Sequence, residues 1–391
     1  MIKSNYVKVL VMSLALGAFG CTGLFDDDLD APELNSSNPC LLTVDGLDCV
    51  DIIIDPIGGG NTDPEWNPYF YTHKGESNNN IYWGATADST NWYTGQLNSG
   101  QTSEGPATVF FNDELFIYYK GNSTENIFYS VKSTPTSFWQ GNSWINTGSK
   151  TKRHALSATV HNGMVWLAYV GANNDELYLA YSSDGRSFTQ IDPQGVGTIG
   201  RGNVTQPKEY FTITSSNGRL YIIQTAQWGV NNSSGVNSNM MWRYTTDPTD
   251  PNAWTIANGA IRGDFTPYTD SPNVIETFNG LSATSLNNEI YIAFGFASKN
   301  CGICAESTRR VAWAKLTQAH TVDYVRFAYD TKRRPGITYS DDGHLFVAYT
   351  DNSQDKIKVF KFDSDDGDPL INPFESGGEA KVGGVQITSL F

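Results

Sequence analysis

Positive charge is scarce in this chain. Across 391 residues, 26 lysines and arginines face 41 aspartates and glutamates, a formal net charge of −15, and no arginine precedes Arg153. A surface of that sign repels phosphate backbones, which excludes nucleic acid as a partner. Histidine is rarer still, and His161, His320 and His344 lack metal-ligand spacing. No segment carries helical periodicity. Beyond the N-terminal stretch that ends before Cys21, no apolar run is long enough to span a membrane.

Aromatic residues, by contrast, reach 13% while charged residues stay at 17%. Alternating runs such as Val165–Tyr169, Leu220–Ile223, Ile290–Phe294 and Leu345–Tyr349 recur between Asn/Asp/Gly turns. That pattern predicts an all-β protein. Low charge combined with abundant Asn, Ser, Thr, Gly and aromatics is typical of extracellular surfaces that handle sugars.

The alternating runs repeat as a unit. Tyr69–Gly95 matches Leu115–Gly141 at a constant offset of 46 residues, with Lys74-Gly75 on Lys120-Gly121, Asn80-Ile81 on Asn126-Ile127, Trp92 on Phe138 and Gly95 on Gly141. Further copies are His154–Thr189, Tyr210–Trp254, Leu281–Leu316 and Gly336–Phe362, with Ile256–Phe278 read as an insertion. Periods of roughly 46 to 54 residues are those of β-propeller blades. The second copy is preceded by a strand, Gly105–Asp113, that the first lacks, and the last nine residues, Gly383–Phe391, resemble that missing strand. The expectation is a six-bladed β-propeller closed by pairing N- and C-terminal strands within one blade. Seven blades remain the alternative, the extra one lying in the insertion or in Asp363–Val382. Stacking blades in a ring buries both apolar faces of each, and splitting one blade between the termini removes a weak seam.

Ahead of the repeats, Lys3 and Lys8 precede the apolar stretch Val9–Gly20 and then Cys21. This is the layout of a secretory signal. The Gly-Cys step resembles a bacterial lipoprotein processing site, which implies lipidation of Cys21; Ala18 and Phe19 depart from that pattern. Residues 21–63 are acidic and rich in Pro, Gly, Ser and Asn, a flexible tether, so the divisions expected are 1–20, 21–63 and a propeller over 64–391. The run Asp26–Asp28 reads either as a signal for the outer face of the outer membrane or as solvated linker. The remaining cysteines are even in number, and Cys40 with Cys49 and Cys301 with Cys304 are expected to form structural disulfides.

Within the repeat copies there is no Trp-Asp pair and no Gly-Gly doublet, so WD40 and kelch readings lose support. The turn Ser182-Ser183-Asp184-Gly185-Arg186-Ser187-Phe188 resembles the Asp box of sialidase-type propellers and of bacterial propeller lectins, one residue shorter and with Phe at its end. Ser133–Phe138 and Thr246–Trp254 occupy the same place. The resemblance implies architecture. Sialidase chemistry is not expected, because the Arg-Ile-Pro signature and an early arginine are missing.

In a propeller, residues just before the innermost strands converge on one mouth of the central channel. Here they are Glu104; Lys152, Arg153 and His154; Lys208, Glu209 and Tyr210; Glu276; and Lys332, Arg333 and Arg334. Such a set suits an acidic or hydroxyl-rich ligand, with Glu209 and Glu276 as acid/base groups if the site is catalytic. It also suits plain rim polarity and salt bridges between blades. Trp66, Trp83, Trp144 and Trp228 sit in or beside loops where they could stack on sugars, whereas Trp166 and Trp313 alternate within strands. Asp363, Asp365 and Asp368 offer oxygens to Ca²⁺ or form a solvated acidic turn; residue 374 is Phe, so this is no EF-hand. No other cofactor is expected. The reading is a monomer that binds a glycan or an extracellular protein, contacts the membrane only through its lipid, and lacks a recognised catalytic signature. A glycan hydrolase is the alternative.

Overall fold

In a computed structural model of the chain, the described residues are 41–43, 46–48 and 66–390, less 76–77, 88–90, 146–150, 152–155, 173–176, 192–210, 228–237, 251, 257–274, 299–309, 317–321, 332, 341, 352–355 and 365–373. At some strand positions, Glu276 among them, the backbone alone is described. Contacts divide the chain into Met1–Asn61 and Thr62–Phe391. In the first unit, β1 (Leu41–Thr43) and β2 (Gly46–Asp48) form an antiparallel hairpin.

The second unit is built from antiparallel sheets. Sheet II comprises β6 (Ala107–Phe111), β7 (Glu114–Lys120), β8 (Ile127–Lys132) and β9 (Gln140–Trp144), and the labels below follow chain order around β3 (Tyr69–Gly75), β4 (Asn80–Thr86) and β5 (Tyr93–Gln101). Sheet III holds β10 (Ser157–His161), β11 (Met164–Val170), β12 (Leu177–Ser182) and β13 (Thr189–Ile191). Sheet IV holds β14 (Phe211–Ser216), β15 (Arg219–Gln227), β16 (Ser238–Thr245) and β17 (Thr255–Ile256). Sheet V holds β18 (Ile275–Leu286), β19 (Glu289–Ser298), β20 (Arg310–Leu316) and β21 (Val322–Asp330). The last strands, β22 (Gly336–Tyr339), β23 (Leu345–Thr350), β24 (Lys356–Phe362) and β25 (Phe374–Ser389), join β3–β5 in one seven-stranded sheet. Strand β25 serves both ends of it: Phe374, Glu375 and Glu379 pair with β24, and Val385–Ser389 pair with Tyr69–His73 of β3. We call β22–β24 with the first half of β25 sheet VI, and the second half of β25 with β3–β5 sheet I.

The turns explain the Asn/Asp/Gly punctuation. Asn112-Asp113, Asn162-Gly163, Asn217-Gly218 and Asn287-Asn288 are two-residue connections between first and second strands, with φ of 50° and 61°, 49° and 68°, 48° and 68°, and 53° and 65°. Two successive positive φ values define the type I′ turn, whose twist matches the strands and which Asn, Asp and Gly tolerate.

The second strands are buried on both faces. In β11, Val165, Leu167 and Tyr169 pack with sheet II, while Trp166, Ala168 and Val170 pack with sheet IV. The same division recurs between IV and V, V and VI, VI and I, and I and II. A period of two with both sides apolar reads as a continuous hydrophobic run, as the sequence does there. First strands lie against one another in the order β6, β10, β14, β18, β22, β25 and back to β6. They meet through small hydroxyls: Ser157 Oγ sits 3.2 Å from Thr212 Oγ1 and accepts the Ile213 N–H at 3.0 Å, Ser282 Oγ accepts the Ile337 N–H at 3.2 Å, and Thr338 and Ser389 hydroxyls are 3.2 Å apart. Only short side chains fit so close an approach, and their oxygens satisfy backbone groups that packing removes from water.

Three sequence expectations change. The aromatic of the β8–β9 turn that packs onto the preceding sheet is Trp139, 6.0 Å from Phe70, whereas Phe138 is 77% exposed. The same place is held by Phe188, edge-on to Tyr118 at 5.5 Å, and by Trp92 and Trp254. Trp83 lies within β4, buried, rather than beside a loop; Trp166 and Trp313 are buried in strands. The supposed insertion is shorter, since Thr255–Ile256 is β17 and Ile275–Phe278 already pairs with β19 ahead of a bulge at Phe278/Leu281.

Candidate functional site

Loops before the first strands and loops after the second strands share one end of the sheets. Thr102, ahead of β6, bridges Gly121 after β7; Thr151 bridges Gly171 in the same way, and Thr331 bridges Asp351. At two of these places a threonine builds the same turn. Thr102 Oγ1 donates to the Glu104 carbonyl at 2.8 Å and accepts the Glu104 N–H at 3.1 Å. Thr331 Oγ1 donates to the Arg333 carbonyl at 3.1 Å and accepts its N–H at 3.3 Å. Glu104 and Arg333, both half-buried, are thus presented by equivalent turns with opposite charge. The stretch Thr151-Lys152-Arg153-His154 repeats Thr331-Lys332-Arg333-Arg334 in sequence.

Arg334 is buried. Its Nη1 donates to the Leu156 carbonyl at 3.3 Å, just ahead of β10 in sheet III. With the Gln386 amide turned so that Oε1 faces the guanidinium, that oxygen accepts from Nε, Nη1 and Nη2 at 3.0, 3.1 and 3.0 Å. The Arg334 carbonyl accepts the Val385 N–H at 3.1 Å, and Gly384 holds a φ of 69° where a Cβ would strike the Arg334 backbone. One guanidinium therefore ties the start of β22 to β25 and to the start of β10. A buried charge persists only when its donors are satisfied this fully.

The repeated Lys-Gly pairs sit at this same end. Lys74 Nζ donates to the carbonyls of Gly75 at 3.2 Å and Asn78 at 2.9 Å, closing its own loop. Lys120 Nζ reaches Ser103 Oγ at 2.7 Å and the Gly121 carbonyl at 3.2 Å, joining the β7–β8 loop to the turn that carries Glu104. Burial lowers the Lys120 pKa, and the Glu104 and Glu125 charges oppose that shift. The glycines leave room for rings: a Cβ on Gly75 would lie 2.5 Å from Tyr82, and one on Gly121 2.7 Å from Phe128. Those rings stack on their strand partners. His73–Tyr82, Tyr119–Phe128 and Tyr169–Tyr178 have centroids 5.5, 6.0 and 5.6 Å apart at 17°, 18° and 9°. Burial drives the His73 pKa down to about 4, against its Nδ1–H donated to the Lys74 carbonyl at 3.2 Å.

The opposite end carries the Asp184 turn. Asp184 Oδ1 accepts from Ser182 Oγ at 2.8 Å and from the Arg186 and Ser187 amides at 2.7 Å each. Burial would raise its pKa, yet these donors hold it at about 2. Arg186 Nη2 donates to both Glu114 carboxylate oxygens of sheet II, at 2.8 and 2.7 Å, with the guanidinium over the Phe116 ring, so this turn binds neighbouring sheets together.

Of the residues expected at the mouth, Glu104, Arg333 and Arg334 are brought to one end. Lys152, Arg153, His154, Lys208, Glu209, Tyr210 and Lys332 lie outside the described residues, as do Cys21, Cys40, Cys49, Cys301, Cys304, Trp228, His320, Asp365 and Asp368. Glu276 lies inside β18, paired with Ala297, rather than ahead of the strand. Asp363 follows β24, and among the described residues no group of three His, Cys, Asp or Glu is placed to hold a metal. No helix among them is long and apolar enough to cross a membrane. His161 Nδ1 meets Ser215 Oγ at 2.9 Å, and His344 Nδ1 meets Asp342 Oδ1 at 2.8 Å. Sequence reasoning missed Lys74, Lys120, His73 and Gln386. The repeated Lys-Gly…Asn-Ile signature marked the lysines, but nothing marked Gln386.

No protein family matches the sequence, and no curated protein matches it. Solved structures do. An Aleuria aurantia lectin mutant in complex with α-methyl-L-fucoside superimposes with a TM-score of 0.51 at 12% identity, covering 81% of this chain and 99% of the lectin. A Penicillium chrysogenum α-L-arabinanase complexed with arabinobiose gives 0.50 at 12% identity, covering 71% and 82%. At such identities the likeness is one of fold: this chain is an all-β protein of four-stranded antiparallel sheets with propeller neighbours.

Proposed function

We propose that residues 64–391 form a six-bladed β-propeller that binds a glycan at the end carrying Glu104, Arg333 and Arg334. Sheets I to VI are the blades, and β25 closes the ring. The cyclic contact of first strands and the apolar cores shared by successive sheets support that reading. The observation that carries the site is the pair of equivalent threonine turns that present Glu104 and Arg333 at one end, beside a guanidinium reaching between sheets. A carboxylate and a guanidinium supply the acceptors and paired donors that a polyhydroxylated ligand needs. The two solved relatives above carry sugar ligands, which agrees with this choice of ligand.

The chain is further proposed to be an envelope lipoprotein, exported by residues 1–20, lipidated at Cys21 and held off the membrane by residues 21–63. Its sequence motif supports this.

Binding to a glycan array, with product analysis of any hit, tests the function. Retention of one sugar class without turnover is expected, weakened at least tenfold by Arg333→Ala or Glu104→Gln. Release of product would instead assign a hydrolase and direct mutagenesis to Glu209 and Glu276. Silence across the array would remove the glycan reading.

A further inference from the structure

Two adjacent arginines reach the mouth from sheet VI, and they differ in what holds them. Arg334 precedes β22, and its guanidinium meets the Leu156 carbonyl ahead of β10 in sheet III. In the cyclic order of first strands, β10 and β22 stand three steps apart in either direction. They are opposite members of the ring proposed above, so this side chain crosses its axis. The pairing registers show how room is made for it. Ala107, Ser157, Thr212, Ser282 and Gly336 hold the same register position in five first strands, and Gln386 holds it in the sixth. Five short residues leave space at the axis, and the sixth supplies the oxygen that accepts from Arg334.

Arg333, one residue earlier, is presented by the Thr331 turn and is half-buried. Among the described residues its side chain has no hydrogen-bond or ion-pair partner, and its Nε is buried without an acceptor. Nearby carboxylates serve other cations. Asp351, which bridges Thr331, pairs with Lys358 at 3.0 Å, and the Glu104 charge acts on Lys120. A guanidinium partly removed from water without a counter-ion costs stability. With 41 acidic residues against 26 basic ones, the chain has no shortage of carboxylates to pair with it. An anion from outside supplies what is missing, and the planar fork of arginine matches the two oxygens of a carboxylate. The net charge of −15 and Glu104 at the same end oppose a densely sulfated or phosphorylated ligand, whereas Glu104 can accept from sugar hydroxyls.

We propose that the glycan taken at the mouth is acidic, with Arg333 gripping the carboxylate of a uronic acid unit next to the axial Arg334. The proposal rests on the glycan reading above and gives its ligand a chemical class. Titration calorimetry of the full chain with oligomers of galacturonic, glucuronic and mannuronic acid, each also as its methyl ester, tests it. The readout is the ratio of the two affinities, which does not depend on the fraction of protein that is folded. In the parent the acid should bind at least tenfold tighter than its ester. Arg333→Gln, which removes the charge and keeps an amide donor, should bring that ratio close to one. Arg333→Lys, which keeps the charge without the fork, should retain part of it. Equal binding of acid and ester by the parent, or binding of neutral cellohexaose alone, overturns the acidic class and leaves a glycan at the mouth. An undiminished ratio in Arg333→Gln overturns the assignment to Arg333. Binding of heparin without binding of any uronate oligomer overturns the carboxylate in favour of a sulfated ligand. No binding of any acidic, esterified or neutral oligosaccharide removes the mouth reading as well.

Discussion

His73 is a titratable ring held neutral among aromatics, and it makes acid stability a residue-scale property. Its ordinary pKa of 6.5 falls to about 4 through burial. Below pH 6.5 the unfolded chain takes up a proton that the folded chain refuses until about pH 4, so protonation favours unfolding across that window. Stability is complete above pH 6.5 and declines by up to about 3 kcal/mol as pH falls to 4. Urea midpoints between pH 7 and 4 should show this slope, and His73→Phe should flatten it. Nothing in the sequence singled out His73. Its neighbour Lys74 was visible through the repeat, because a lysine that must reach loop carbonyls recurs at a fixed spacing. Gln386 was not, since its partner Arg334 is distant along the chain and meets it only through the pairing of β25.

At the scale of elements, the strands and their turns were legible while the register of one turn was not. A buried face every second residue leaves its mark in alternation, and type I′ turns leave theirs in Asn, Asp and Gly. The offset of 46 set Phe138 opposite Trp92, yet Trp139 makes the contact with sheet I. A slip of one residue exchanges the inward and outward sides of a chain, and both candidates here are aromatic, so composition could not choose. Substitution separates them. Trp139→Ala should cost about 2–3 kcal/mol in chemical denaturation through lost packing between sheets, and Phe138→Ala less than about 0.5 kcal/mol. Gly185 belongs to the same account: at φ 70°, with a Cβ 2.6 Å from the Phe116 ring, Gly185→Ala should lower stability by about 2 kcal/mol or more.

For the molecule as a whole, closure is the property at stake. Val385 and Ile387 complete the core between sheets VI and I, and Leu390 adds to the core between I and II. Deleting residues 385–391 would open the hydrogen-bonding edge of β3 and uncover both cores. The expected outcome is loss of a single cooperative thermal transition, with rapid proteolysis within sheet I; a truncated chain that melts like the parent would refute closure. Arg334→Ala tests the same seam from within, since it leaves Gln386 and the Leu156 carbonyl without their donor, and about 3 kcal/mol of destabilisation is expected.

The sequence by itself determined the all-β class, the repeating four-strand unit, the positions of most strands and the turns between them. Each of these is local: alternation records which side of a strand is buried, and positive φ records itself in residue type. It also brought Glu104, Arg333 and Arg334 forward, because they precede first strands. Only the tertiary structure decided that Arg334 is spent on Gln386 and Leu156, that Trp139 rather than Phe138 fills the seam, and that Phe138 and Trp144 face solvent. Such outcomes depend on which residue of a distant sheet arrives opposite. Hydrophobic pattern records that a face is covered but not what covers it.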